Sequence, residues 1–209
     1  MSLFPEGIGT DRLRLERLTT DDLFELYEHA STDAPDIDEV TRYVGWDPHE
    51  TPKATREFLS TVESQWADGE GATYVVRPRD GEPLAGEYGG NTGLGVDWER
   101  RLGTLGLWLR KPLWGRGYSG ERAGALFALA FDRLDLDVVA VTHDPDNDAS
   151  RRAIERYVDR FGGRREGHLR NDIRFADGTV RDSVRYTVAR EEWREAVGDD
   201  HGVRFVESA

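Results

Sequence analysis

Polar and apolar residues alternate with a period of two from Arg12 to Glu16, the signature of a half-buried strand. Thr19-Thr20-Asp21-Asp22 then offers N-cap residues for a helix ending near Ala30. Residues 33–48 are rich in turn formers and aromatics, which predicts a loop with short helical turns. Thr51-Pro52 places a cap and an N1 proline before a helix running to Asp68, and Gly69-Glu70-Gly71 stops it. Residues 72–77 read as a strand, 79–82 as a hairpin turn, and Leu84–Leu94 as the returning strand. Leu102–Leu109 is apolar on both faces, as expected of a central strand.

A glycine-rich break at Gly115–Gly120 leads into an apolar helix over 121–134, then a buried strand over 138–142. A second helix spans 146–161, capped around Asp146–Asp148 and ended by Gly162-Gly163. A hairpin turning at Asp177-Gly178 falls within 173–185, and a short helix covers 191–197. Strands and helices are mixed without repeats or linkers, so one α+β domain over residues 1–197 is expected. Residues 198–209 read as a flexible tail.

Composition narrows the function classes. The 209 residues suffice for one well-cored domain. There is no cysteine, hence no disulfide or thiolate chemistry. The five histidines show no metal-ligand spacing, so no metal is expected. No membrane-length apolar run is present, and the N-terminus lacks the basic and apolar regions of a signal peptide, so a cytoplasmic location is expected. The net charge is −13, which disfavours nucleic acid as a partner. Only Lys53 and Lys111 are lysines among the 28 basic residues, a pattern that resembles halophilic-type acidic proteins. Two stretches oppose this background: Leu109–Arg122 and Ser150–Glu166 each carry a net +3 (4 − 1 and 6 − 3). Two basic islands in an acidic chain point to an anionic ligand held in one place.

The first island contains Trp114-Gly115-Arg116-Gly117-Tyr118-Ser119-Gly120, between a strand and a helix. Such a turn aligns free N–H groups at a helix N-terminus, where the dipole favours an anion. The second follows Pro145-Asp146-Asn147-Asp148-Ala149-Ser150, and helical spacing puts Asn147, Ser150 and Ile154 on one face. Asn147 also reads as a plain helix cap.

Together these motifs closely resemble the GNAT superfamily of N-acetyltransferases, in its RimJ/RimL-type branch, which includes ribosomal-protein N-terminal acetyltransferases. The resemblance extends from Thr10–Leu15 to Arg185–Trp193 and takes in Glu166–Arg170 and Asp182–Tyr186. It implies a mixed, mostly antiparallel central sheet, splayed at the CoA-binding strands and flanked by helices. It also implies acetyl-CoA as co-substrate, with Trp114 to Gly120 around its pyrophosphate and the N–H groups of Arg116 to Gly120 holding it. Leu107, Trp108 and Leu109 would line the pantetheine arm, Asn147 would hydrogen-bond it, and Ser150 would protonate the departing thiolate. The acceptor implied is a protein or peptide α-amine that attacks directly. Relatives often pair, so a homodimer is compatible.

Three departures bear on this. Trp114 stands where the superfamily has Gln or Arg. Thr104 stands where the strand usually offers an acid, which leaves Glu87 as the candidate base, acting through water. Ile154 stands where many relatives carry a tyrosine, with Tyr157 one turn later. His143 is a second base candidate, and Glu121 reads as a helix-stabilising residue. Tyr43, Trp46 and Trp66 are candidates for an acceptor pocket. Asp33, Asp36, Asp38 and Glu39 would suit a cationic small amine, so a small-molecule acetyltransferase stays open, as does a non-catalytic acyl-CoA-binding module.

Overall fold

The computed structural model describes residues 2–175, 178–198 and 201–207. The strands are β1 (Gly7–Gly9), β2 (Leu13–Arg17), β3 (Gly71–Pro78), β4 (Gly90–Asp97), β5 (Leu102–Leu109), β6 (Val138–His143), β7 (Arg164–Arg174), β8 (Val180–Ala189) and β9 (Arg204–Val206). They form one sheet in the order β7-β8-β6-β5-β4-β3-β2-β1-β9. All neighbours are antiparallel except β5 and β6. The helices are α1 (Leu23–Ala30), α2 (Ile37–Thr41), α3 (Pro52–Asp68), α4 (Tyr118–Ala128), α5 (Asp148–Arg160) and α6 (Arg190–Val197).

The parallel pair positions the site. β5 and β6 are joined only over Leu102–Thr104 and Val138–Ala140, although β5 continues to Leu109 and β6 to His143. Beyond Thr104 and Ala140 the two strands part. The unpaired edges of β5 from Leu105 and of β6 from Val141 therefore bound a wedge, and backbone groups released from a ladder need other partners.

Helices cover both faces. On one, Leu26 and Ala30 of α1 and Leu59 and Val62 of α3 bury Val75 and Tyr88. On the other, α4, α5 and α6 bury Leu105, Leu109, Val139, Val141, Tyr186 and Val188 under Leu126, Phe127, Ile154, Val158 and Trp193. β5 alternates between them: Leu105 and Leu109 are buried, whereas Thr104 and Gly106 are exposed. Its apolar composition reflects two half-covered faces around the wedge and not the full burial expected.

Local chemistry sets most boundaries as read. The Thr51 hydroxyl accepts from the Ala54 N–H at 3.3 Å ahead of Pro52, and Gly69 closes α3 with φ of 74°. Four readings need correction. The strand returning from β3 starts at Gly90, not Leu84, because residues 84–89 run irregularly, with φ of 57° at Leu84 and 77° at Gly86. At Gly89 a Cβ would lie 2.6 Å from the Val76 carbonyl, so the chain crosses close to β3 before it pairs. α4 starts at Tyr118, so Gly120 sits in its first turn. β7 starts at Arg164, nine residues before the hairpin segment expected, as an edge strand too polar to show alternation. Finally, the segment taken as a loose tail carries β9, which pairs with β1 through Ile8 and Phe205, so the sheet extends beyond residue 197. The turn between β7 and β8 is closed by the Phe175 N–H donating to the Thr179 carbonyl at 2.8 Å; Asp177 lies outside the described residues.

Candidate active site

A cleft of about 1370 Å3 opens along the end of β5, past its pairing with β6. Its walls include Leu107, Trp108 and Leu109 of β5, the whole run Trp114, Gly115, Arg116, Gly117, Tyr118, Ser119 and Gly120, and Asn147 and Ser150 at the start of α5. Every residue assigned to CoA from the sequence meets here, although the three groups are separated along the chain. The cleft exceeds the 300–1,000 Å3 usual for a small-molecule site, as a long ligand together with an acceptor requires.

The loop is built to present donors. Gly115 and Gly117 adopt φ of 74° and 82°, which other residues reach only at a cost, and no side chain crowds Gly115. Gly117 caps α4, so the Tyr118 and Ser119 N–H groups have no acceptor in the helix. The Gly120 N–H, assigned to the anion from the sequence, is instead spent on the Gly117 carbonyl at 3.1 Å. The available donors thus belong to Arg116 through Ser119. Behind the loop, the Glu121 carboxylate accepts from the Thr10 hydroxyl (2.6 Å), the Arg12 N–H (2.7 Å) and the Arg12 guanidinium (2.7 Å). It ties α4 to the residues before β2, a structural part as expected. Arg12 also donates to the Arg116 carbonyl at 3.0 Å, which fixes the loop's far side.

At the second motif Asn147 serves first as a cap, its Oδ1 accepting from the Ser150 N–H at 3.0 Å. Its side-chain nitrogen and the Ser150 hydroxyl make no hydrogen bond among the described residues, which leaves both for a ligand. Ile154 does not join them: it is buried in the core, whereas Tyr157 lines the cleft. Helical spacing could not show this, because the face formed by α5 is set by the tilt of the helix against α4.

The candidate bases lie elsewhere. The Glu87 carboxylate is ion-paired with Arg110 at 3.1 Å and does not line the cleft. His143 is buried under Tyr186, with ring centroids 5.7 Å apart, and its Nδ1 lies 2.8 Å from the Asp144 carbonyl. Its Nε2 is buried without a partner and does not reach the cleft. Thr104 stands at the last paired position before the strands part. Among the described residues no group of three or more His, Asp or Glu could hold a metal ion, and no helix is long and apolar enough to cross a membrane.

The acceptor candidates divide. Trp66 belongs to the core, packed on Phe4 and Tyr74. Tyr43 lines the cleft, and Trp46 packs at a tilt against Trp108, a cleft residue, with ring centroids 5.5 Å apart. Sequence reasoning did not find the cleft's far end, formed by Arg152, Arg156, Arg160 and Phe161 of and beside α5, by Trp193, and by residues 201–203. The arginines were visible only as net charge.

The model of the acetyltransferase (GNAT) domain matches residues 12–157 of the chain. The uncharacterized N-acetyltransferase YoaA of Bacillus subtilis is 25 % identical over 183 residues, covering 88 % of this chain and 96 % of YoaA. The uncharacterized N-acetyltransferase p20 of Bacillus licheniformis is 22 % identical over 188 residues, covering 90 % of this chain and 98 % of p20. RimJ of Mycobacterium smegmatis, solved in complex with CoA-disulfide, shares the fold with a TM-score of 0.76 at 17 % identity, covering 98 % of this chain and 99 % of RimJ. A strand pair that opens beside a donor-rich loop, carried on a sequence that matches this family model over most of its length, has one reading: the chain belongs to the GNAT acetyltransferase family and is an N-acetyltransferase enzyme.

Proposed function

We propose that the protein transfers the acetyl group of acetyl-CoA to a protein or peptide N-terminal α-amine by direct attack, as in the RimJ/RimL branch. The observation that carries this is the convergence of the β5 edge, the Arg116–Ser119 donors and the Asn147–Ser150 pair on one cleft. These residues fit CoA: the loop N–H groups and the adjoining helix dipole suit a pyrophosphate, and the β5 edge offers backbone partners to the pantetheine amides. Trp114 and Gly115 shape the entry to the loop. Acetyl-CoA supplies the activated acyl group. The Ser150 hydroxyl supplies a proton to the departing thiolate, and Glu87, outside the cleft walls, can take the amine proton only through water.

The acid cluster favours a peptide over a small cationic amine. Lys111 holds Asp36 at 3.0 Å and Glu39 at 2.6 Å, so two of the four carboxylates that could collect a cation are already paired, and neither Asp33 nor Asp38 lines the cleft. Tyr43 and Trp108, with Trp46 behind, instead offer aromatic surface at the acceptor mouth.

Thiol release from acetyl-CoA, measured over a panel of peptides, polyamines and amino acids in high salt, tests the reading. Turnover on free N-termini supports it; turnover confined to small amines replaces the acceptor; CoA binding without turnover on any acceptor points to a binding module. Glu87→Gln tests the water route: a fall in kcat with CoA affinity unchanged supports it, and unchanged turnover removes it.

A further inference from the structure

Three arginines stand one turn apart on α5, Arg152, Arg156 and Arg160, and all three line the cleft. A rise of about 1.5 Å per residue spreads their Cα atoms over about 12 Å, leading away from the Asn147–Ser150 end. All three are exposed, and none has a carboxylate within ion-pair distance among the described residues. The acids of α5 are engaged elsewhere: Arg151 takes Asp148 at 2.9 Å and Glu155 at 3.7 Å, and Tyr186 donates to Glu155 at 3.2 Å. The remaining acid of the helix, Asp159, does not line the cleft. In a chain of net charge −13, a row of unpaired guanidinium groups facing one cavity is selective.

The surroundings say what shape of anion the row would meet. Beyond Arg160 the cleft is walled by Phe161 and Trp193 and by the segment 201–203 that leads into β9. The Arg160 guanidinium already lies 5.3 Å from the Phe161 ring centroid. Phe161 and Trp193 pack on each other with ring centroids 5.2 Å apart and so close the end of the row; a phosphomonoester, carrying about −1.5 to −2 charges with three acceptor oxygens, matches the row's planar guanidinium forks.

We propose that Arg152, Arg156 and Arg160 form a phosphomonoester subsite that reads the 3′-phosphate of the nucleotide end of CoA, and so select CoA over its dephosphorylated form. This rests on the acetyl-CoA reading above and deepens it. It also gives the C-terminal segment a part in binding, as a further wall of the same cleft.

Dephospho-CoA differs from CoA by that phosphate alone, so calorimetric titration of both ligands at one ionic strength isolates the subsite. Wild-type protein is expected to bind CoA about tenfold more tightly than dephospho-CoA. Arg156→Gln/Arg160→Gln should weaken CoA about tenfold and leave dephospho-CoA within twofold, with Arg152→Gln acting in the same direction to a smaller extent. These exposed positions tolerate the change, and an unaltered melting temperature checks folding. Equal wild-type affinities for the two ligands, or equal losses of both in the double variant, would overturn the subsite while leaving the cofactor reading intact. Failure of wild-type protein to bind either ligand would sink that reading, and the subsite with it.

Discussion

Arg122 and Tyr157 face each other across α4 and α5, the guanidinium carbon 5.9 Å from the ring centroid. Both are buried, and Nε and Nη1 of Arg122 and the Tyr157 hydroxyl have no hydrogen-bond partner among the described residues. Burial holds the arginine's pKa below its usual range, yet a guanidinium does not lose its proton at neutral pH. The core therefore holds a cation with no counter-charge, which costs several kcal/mol.

Arg122→Met should consequently stabilise the ligand-free protein, by about 1–4 kcal/mol, because the thioether chain fills similar volume without the desolvation cost. Chemical denaturation of the two proteins reads this directly. A loss of stability in the variant would show that the guanidinium is compensated in solution.

Gly117→Asp should abolish CoA binding. The residue sits at φ of 82°, where a side chain is strained, and its carboxylate would stand among the Arg116–Ser119 donors. Titration with CoA checks this, and unchanged affinity would mean that the ligand's diphosphate lies elsewhere.

Ser150→Ala should lower kcat by about 10²-fold and leave CoA affinity within a few-fold, since the Asn147 cap uses the Ser150 N–H and not its hydroxyl. Equal losses in turnover and affinity would make Ser150 a binding residue alone.

His49 predicts a pH dependence of stability. It is packed between Trp46 and Phe58, with Nδ1 2.8 Å from the Thr55 hydroxyl, and burial lowers its pKa from the ordinary 6.5. A histidine whose folded pKa is lowered contributes stability that is present above the unfolded value and lost as pH falls through the folded one. Stability should therefore decline as pH drops below about 6.5, and His49→Gln should flatten that decline. Parallel acid titrations of the two proteins that superimpose would exclude His49 as the cause.

The charge of −13 gives a fifth expectation. Raising KCl from about 0.1 M to about 1 M shortens the screening length from about 10 Å to about 3 Å, so self-repulsion fades and the melting temperature should rise. A melting temperature independent of salt would end the likeness to halophilic-type proteins.

Much of this site was legible before any fold was known, because its chemistry is local. A strand, three glycines and a helix start must make a donor-rich turn, and Asn147 three residues before Ser150 must cap α5. Arg151–Arg160 was legible as charge, but which arginines face the cleft was not: Arg151 pairs with Asp148 and Glu155, whereas the adjacent Arg152 lines the cleft. β7 and β9 were missed for the same reason: an edge strand held by backbone bonds needs no apolar alternation to mark it.

Most of the elements, and the family, could be read from the sequence, because capping, glycine dihedrals and motif spacing act within a few residues; the residues proposed for CoA were read there for the same reason. The tertiary structure alone decided that β5 and β6 part after Thr104 and Ala140, that Glu87 and His143 stand outside the cleft, and that residues 201–203 wall its far end. These depend on how far one strand stays paired with another and on which helix covers which face, and such contacts join residues far apart in the chain.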